Sequence, residues 1–154
     1  MKNILFIIAL AFLSATTFGQ KVNFSGDWTL NEDESELGYE FSLAPKVMTV
    51  EHTKKTLDIT SVREFNGEEA ETTAHYSLDG EVNENAGFMD SIIKSTAGFD
   101  KKTGTLKIVT KGSAQGMDFT LTQIMSMKED KLVISSEAAS DMGEMVETFV
   151  FDNQ

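Results

Sequence analysis

The sequence predicts an all-β fold in which antiparallel strands form an up-and-down β-barrel. Three observations favour it: apolar and polar residues alternate with a period of two from Phe24 onward, short turns such as Asn-Gly and Asp-Gly separate the alternating runs, and helical periodicity is almost absent. A meander of this many strands curls until its last strand pairs with its first, because closure removes exposed edges. A two-sheet sandwich is the alternative, but its crossover connections need longer loops than most of those found here.

The N-terminus predicts an export signal over residues 1–19, followed by a single barrel domain over residues 20–154. Lys2 precedes a purely apolar run, Ile4 to Leu13, and Thr17-Phe18-Gly19 places small residues three and one positions before a cleavage point. The apolar run has ten residues, whereas a helix that spans a membrane needs about 20.

Cleavage before Gln20 would release a soluble protein into the periplasm or the medium, with no segment left to insert into a membrane. The chain has no cysteine, so we expect no lipid anchor, disulfide, thiolate metal site or cysteine nucleophile. Asp and Glu number 25 against 13 Lys and Arg, and the net charge of −12 argues against nucleic acid or an anionic membrane as partner.

The alternation predicts about nine strands joined mostly by short turns. Phe24, Trp28 and Leu30 share one face of the first strand, and Met117, Phe119 and Leu121 share one face of the longest. The predicted strands are 24–30, 46–53, 56–65, 69–78, 91–99, 105–111, 117–127, 131–138 and 144–151. Two longer connections are expected: residues 31–45, acidic and then apolar, fold over a barrel mouth, and residues 79–90 form the second.

The stretch Phe24-Ser25-Gly26-Asp27-Trp28-Thr29-Leu30-Asn31, followed by Ser35, resembles the opening of bacterial exported lipocalin-like proteins. It contains their Gly-x-Trp motif as Gly26-Asp27-Trp28. The resemblance implies a lipocalin-like barrel in which Trp28 closes the floor and Gly26 permits close backbone approach. A turn recurrent in these proteins is similar to Tyr76-Ser77-Leu78-Asp79-Gly80-Glu81.

Arg63 shares the parity of Leu57 and Ile59, so an unbroken strand points it into the barrel. A buried guanidinium needs a partner, and Glu147, inward-facing on the last strand, could supply it. In the functional interpretation Arg63 receives the carboxylate of an amphipathic ligand. In the alternative, Arg63 extends to water at the strand end near Asn66.

Gln123 lies in an apolar run and needs hydrogen-bond partners inside the barrel, either on a ligand or on a neighbouring serine. Ser136 and His52 are weaker candidates of the same kind; we expect His52 to be exposed at a strand end, and His75 to lie on the outer surface. The expected ligand-binding residues are Arg63, Gln123, Glu147, Met117, Phe119, Leu121, Met125 and Tyr76.

Seven of the eight methionines follow the predicted export signal; they suit an adaptable apolar cavity, and they equally suit the filling of an irregular core. The pairs Met125-x-Met127 and Met142-x-x-Met145 have spacings seen in thioether Cu(I) sites, but no Cys or His accompanies them. The alternating oxygens of Asp79-x-Glu81-x-Asn83-x-Asn85 lack the glycine and glutamate of a calcium loop. We therefore expect neither a metal nor a cofactor.

Enzyme motifs are absent: there is no Gly-x-Ser-x-Gly, no His-Glu-x-x-His, no phosphate loop and no dinucleotide fingerprint. The sequence thus favours a non-enzymatic protein that holds a small apolar or amphipathic molecule in the barrel lumen. A packed barrel without ligand, acting as a structural or interaction module, is the alternative. An acid–base enzyme using Arg63 and Glu147 is the enzymatic one.

Overall fold

The structure is a computed structural model that describes residues 22–39, 41–65, 67–87, 91–114 and 116–154. The predicted export signal and Gln20 lie outside the described residues. The strands are β1 (Gly26–Leu30), β2 (Val47–His52), β3 (Thr56–Phe65), β4 (Glu68–Ser77), β5 (Asp79–Ala86), β6 (Ile92–Asp100), β7 (Thr105–Ala114), β8 (Met117–Lys128), β9 (Lys131–Ser140) and β10 (Gly143–Asn153). A single 3-10 turn, Glu32–Glu34, lies between β1 and β2. Within the described ranges, no helix has the length and apolar character needed to cross a membrane.

All ten strands belong to one antiparallel sheet with the order β4-β3-β2-β1-β10-β9-β8-β7-β6-β5. The first strand pairs with the last, with Trp28 opposite Asn153, so the predicted up-and-down barrel and the pairing of its first and last strands are confirmed. The expectation that closure removes exposed edges was wrong, because this pairing lies in the middle of the sheet and not at its edges. The two free edges of the sheet are β4 and β5, which follow each other in the chain through Leu78. No backbone ladder joins these two strands in the part of the chain that the structure describes, and the barrel therefore has one lateral gap.

The prediction that residues 79–90 form a connection was wrong, because β5 occupies Asp79–Ala86 and raises the strand count to ten. The inward side of β5 carries Asn83 and Asn85, whose partners on β6 are Ser95 and Ile93. Since this edge strand buries no apolar face, the alternation that marks the other strands is missing from it.

One end of the barrel, the floor, is filled by a contiguous apolar core. The Trp28 indole is buried there and donates a hydrogen bond to the Phe24 carbonyl oxygen at 3.0 Å. Gly26 has a φ of +153°, and a Cβ at this position would lie 2.9 Å from the side-chain nitrogen Nδ2 of Asn153. The buried core residues are Phe24, Trp28, Met48, Val50, Leu57, Tyr76, Ala97, Leu106, Ile108, Met125, Leu132, Ile134, Phe149 and Phe151.

His52 is half-buried in this floor, contrary to the exposure expected from its place at a strand end. Its ring stacks on Phe24 with centroids 5.3 Å apart and lies 5.7 Å from the ring of Phe99. The reason is parity: His52 points inward with Met48 and Val50, so the core extends to the last residue of β2.

Candidate functional site

A layer of inward-facing polar side chains, here called the polar layer, lies above the floor. Its members occupy β3, β4 and β6 to β10, each on the face that carries buried apolar residues lower on the same strand. They are Ser61, Thr72, Ser95, Thr110, Gln123, Ser136 and Glu147. Several bond to one another: the Ser95 and Thr110 hydroxyls are 2.8 Å apart, and those of Ser61 and Thr72 are 3.1 Å apart.

Glu147 is the most buried acidic side chain that the structure describes, with 1% of its surface exposed. Its Oε1 accepts a hydrogen bond from the backbone N–H of Gly38 at 2.9 Å, and its Oε2 accepts one from that of Leu43 at 3.0 Å. These two donors compensate the buried charge. A Cβ at Gly38 would collide with the carbonyl oxygen of Phe41, so only glycine fits this turn.

Gly38 and Leu43 belong to residues 31–45, a segment called the strap below; Glu40 within it lies outside the described residues. The strap pairs with β10 through a bridge between Glu36 and Thr148, and reaches β3 where Lys46 N–H donates to the Val62 carbonyl. It passes over the short strands β1 and β2, and its apolar side chains Leu37, Leu43 and Ala44 pack against the core.

Arg63 on β3 is partly buried on the opposite side of the strap. Its Nε donates to the Leu43 carbonyl oxygen at 3.1 Å, and its Nη1 lies 3.3 Å from the Ser61 hydroxyl and 3.4 Å from that of Thr72. Nη2 has no protein hydrogen-bond partner among the described residues. Burial lowers the pKa of Arg63 below its ordinary value, while nearby Tyr76 acts in the opposite direction. Arg63 is therefore held to the strap through Nε, while its Nη2 group is accessible to solvent.

The sequence suggested that Arg63 and Glu147 are partners, but in the structure they do not contact each other. Glu147 accepts from the N–H of Leu43, and Arg63 donates to the carbonyl oxygen of the same residue. No ion pair joins them in the described part of the chain. The physical reason lies in the short strands β1 and β2, which leave space for the strap to pass between β10 and β3. Its peptide groups then separate the two charges.

Ser136 lies between two other polar residues of the layer, with Gln123 opposite it on β8 and Glu147 opposite it on β10. Only 2% of the residue is exposed, and its Oγ has no hydrogen-bond partner among the described residues. Buried hydroxyls without a partner are uncommon, because the lost hydration is not replaced. This hydroxyl is an unsatisfied polar atom enclosed within the layer, out of contact with solvent.

Above the polar layer, the inward-facing side chains of the barrel are only half-buried. They include Leu121, Ala138, Met145 and Phe119, whose ring covers Gly112; a Cβ on that glycine would lie 2.8 Å from Cζ of Phe119. Solvent reaches these inward-facing side chains, and this upper part of the lumen is called the cup below.

The expected ligand-binding residues are thus distributed over three environments. Phe119 and Leu121 line the cup, Arg63, Gln123 and Glu147 lie at or beside the polar layer, and Met117 stands 39% exposed at the rim. Met125 and Tyr76 are instead buried in the floor core. Burial also raises the pKa of the Tyr76 phenol, an effect that Arg63 partly offsets.

An open cleft of about 930 Å³ is lined mainly by outward-facing residues of β5 to β9, and it also includes Gly112 and Phe119 of the inner face. Lys94 and Lys111 face each other there across β6 and β7, and Val82 and Ile92 supply exposed apolar surface. Lys94 also pairs with Glu84 at 3.6 Å, and Asp118 lines the same cleft. Mixed charge of this kind gives the cleft no single ligand preference.

Side chains with oxygen or nitrogen atoms that could bind a metal are hydrogen-bonded to other parts of the protein instead. Asn83 and Asn85 bond to the backbone of β4, and His75 pairs with Asp58 at 2.6 Å on the outer surface. No group of three or more His, Asp or Glu side chains that could hold a metal occurs among the residues described.

Sequence reasoning missed Ser61, Thr72, Ser95 and Thr110 as members of the polar layer. Their parity was readable, since Thr110 follows Leu106 and Ile108 on the same face, but serine and threonine occur on either face of a strand. Leu43 could not be found, because it takes part through its backbone.

Two solved structures share the fold at low sequence identity. Human cRBP IV matches with a TM-score of 0.54 and 18% identity, over 86% of this chain and 98% of that one. The crystal structure of zebrafish ileal bile acid-binding protein complexed with cholic acid matches with a TM-score of 0.59 and 18% identity, over 85% and 98%. No family model matches the chain, and no curated protein matches its sequence. The likeness confirms the lipocalin-like barrel fold.

Proposed function

We propose that the protein binds one small apolar or amphipathic molecule in the cup. The observation that carries the proposal is the division of the lumen: the floor is packed, whereas the inward-facing side chains above the polar layer are accessible to solvent. Barrels of this size can hold one small ligand. The zebrafish structure gives further support, because that protein, which shares the fold, is complexed with cholic acid.

The apolar part of the ligand would contact Phe119, Leu121 and Met145, which leave apolar surface in water when the cup is empty. Its polar end would lie at the polar layer, where Arg63 bonds to the protein through Nε and Nη1 and has an unused Nη2 group. A carboxylate bound by Arg63 would gain a charge-assisted hydrogen bond, stronger than a neutral one. Gln123 offers both a donor and an acceptor beside Ser136.

The test begins with native mass spectrometry of protein purified from its own host, with organic extraction of any bound molecule. The ligand-free protein is then titrated with Nile red, oleate and oleyl alcohol. We expect saturable binding of one molecule per chain. If the native mass equals that of the polypeptide alone and no probe binds, the ligand-binding proposal is wrong and the barrel is an interaction module.

We further propose that the protein acts outside the cytoplasm after removal of residues 1–19, on the basis of the sequence pattern alone. N-terminal sequencing of protein from its own host should begin at Gln20. An N-terminus at Met1 would contradict export by cleavage.

A further inference from the structure

The gap between β4 and β5 is bridged by asparagine side chains in place of a backbone ladder. The Asn85 amide accepts a hydrogen bond from the His75 N–H at 2.8 Å and donates one to the His75 carbonyl oxygen at 2.9 Å. Asn83 accepts a hydrogen bond from the Ser77 N–H at 3.1 Å. Each amide thus replaces part of a neighbouring strand, and we call these two residues the asparagine latch.

The latch holds only the lower part of β4. Asn85 is the next-to-last residue of β5, and it contacts His75, whereas residues Glu68–Thr73 of β4 extend beyond that level. All six are exposed, including Ala70 and Thr72, which share the inward face of buried Tyr76. The barrel wall is therefore open to solvent beside the upper part of β4.

This opening leads to the polar layer. Thr72 on the exposed inner face lies 3.4 Å from Nη1 of Arg63 and 3.1 Å from the hydroxyl of Ser61, which is buried. A molecule that passes between β4 and β5 therefore meets the guanidinium directly.

The strap is held far more firmly than the latch. It makes a two-way backbone bridge to β10 between Glu36 and Thr148 at 2.8 and 2.9 Å, two bonds to buried Glu147, and one to Arg63. Its apolar side chains also pack against the core. The latch consists of three side-chain hydrogen bonds, of which two are exposed and one is part-buried, so it separates more readily.

We propose that the ligand enters and leaves the cup sideways, between β4 and β5, and that Asn83 and Asn85 control this passage. The inference rests on the proposed function, because it assumes a ligand in the cup. The latch closes the wall below the opening, and its release widens the gap toward the polar layer. The strap remains part of the wall throughout.

The test measures association and dissociation rates of oleyl alcohol by stopped-flow displacement of Nile red. In Asn85→Ala we expect both rates to rise by at least about fivefold, the effect of losing one net hydrogen bond, with the Kd changed less than about twofold. Asn85→Asp keeps the acceptor for His75 but loses the donor, so its rates should lie between those of wild type and Asn85→Ala. Asn23→Ala removes an exposed asparagine that binds a backbone N–H at 3.0 Å, and serves as the matched control.

Hydrogen exchange verifies the latch independently of ligand. The His75 amide proton should exchange faster in Asn85→Ala, and the Ser77 amide proton in Asn83→Ala, while core amides keep their protection. Global loss of protection would mean that the variant is unfolded, and the rates would then be read from Asn85→Asp.

Several outcomes would overturn the inference. Unchanged rates in Asn85→Ala with a released His75 amide would show that the gap is not the passage. Glu147→Gln loosens the strap. If this variant binds and releases oleyl alcohol faster while the latch variants have no effect on these rates, the passage lies at the strap. If no probe binds to wild-type protein, the proposed function fails first, and hydrogen exchange still decides whether the latch exists.

Discussion

At the scale of single residues, charge governs how the strap is held. Glu147 and Arg63 carry opposite charges, yet each binds a backbone group of the same residue, Leu43. A buried carboxylate with two N–H donors and a guanidinium with a carbonyl acceptor are both compensated without contact between them. Arg63 consequently retains donor capacity on the side of Thr72, where the barrel wall is open.

Arg63→Ala should weaken binding of oleate by roughly 10- to 100-fold, the effect of one hydrogen bond to a charged group worth about 1.5–3 kcal/mol. Binding of oleyl alcohol, which has the same chain but no charge, should change little. Both affinities are measured by displacement of Nile red. Lys46→Ala, which removes an exposed cation paired with Glu64, is the charge-matched control. Equal weakening of both ligands would show that Arg63 supports the cup rather than binding a carboxylate.

At the scale of elements, the strap begins in a network that joins it to two strands. Lys131 on β9 contacts Glu34 and Asp152 at 2.7 Å each, and Asn31 donates to Asp152 at 2.8 Å. Lys131 first, and Asn31 second, hold the pKa of Asp152 below its usual range. Its hydrogen bonds to Asp152 and, second, to Glu34 raise the pKa of Lys131. The network fixes the 3-10 turn against the end of the barrel.

Asp152→Asn should destabilise the protein near neutral pH and have progressively less effect in acid. The folded-state pKa of Asp152 lies below the ordinary value of 3.8, so its stabilisation is complete above about pH 5 and is lost as the pH falls through the folded pKa. The measurement compares free energies of unfolding of variant and wild type at neutral pH and at about pH 3. A difference that stays constant over this range would contradict the role of Asp152.

At the scale of the whole molecule, one sheet creates two interiors. The floor is packed by residues from both halves of the chain, and the cup above it is lined by residues that water reaches. β8 shows the division on one face, since Met125 is buried in the floor and Leu121, four residues earlier, is half-buried in the cup. Stability and the proposed ligand binding would thereby depend on different ends of the same strands.

Substitution of tryptophan at these two positions separates the two interiors. Met125→Trp should reduce the free energy of unfolding by about 1–3 kcal/mol, because a packed core cannot accept the added volume. Leu121→Trp should leave stability nearly unchanged but abolish binding of Nile red, since the indole would occupy the cup. Denaturant unfolding and dye titration measure both effects. Similar destabilisation by the two variants would mean that the cup is packed, as in the interaction-module alternative.

The sequence by itself determined nine of the ten strands that the structure describes, the antiparallel meander and the pairing of its last strand with its first, because strands that bury one apolar face alternate. It also placed Arg63, Gln123 and Glu147 on inward faces, since parity along a strand needs no knowledge of its neighbours. Ser136 was identified in the same way.

Only the tertiary structure decided the rest. β5 could not be predicted from the sequence, because it lies at an edge of the sheet and its inward face carries asparagines in place of apolar residues. The role of Asn83 and Asn85 depends on the edge of β4 that lies beside them. The place of Leu43 between Arg63 and Glu147 rests on backbone groups, which every residue carries and no sequence pattern distinguishes. The boundary between floor and cup likewise depends on how strands from opposite sides of the barrel pack, which periodicity along one strand does not contain.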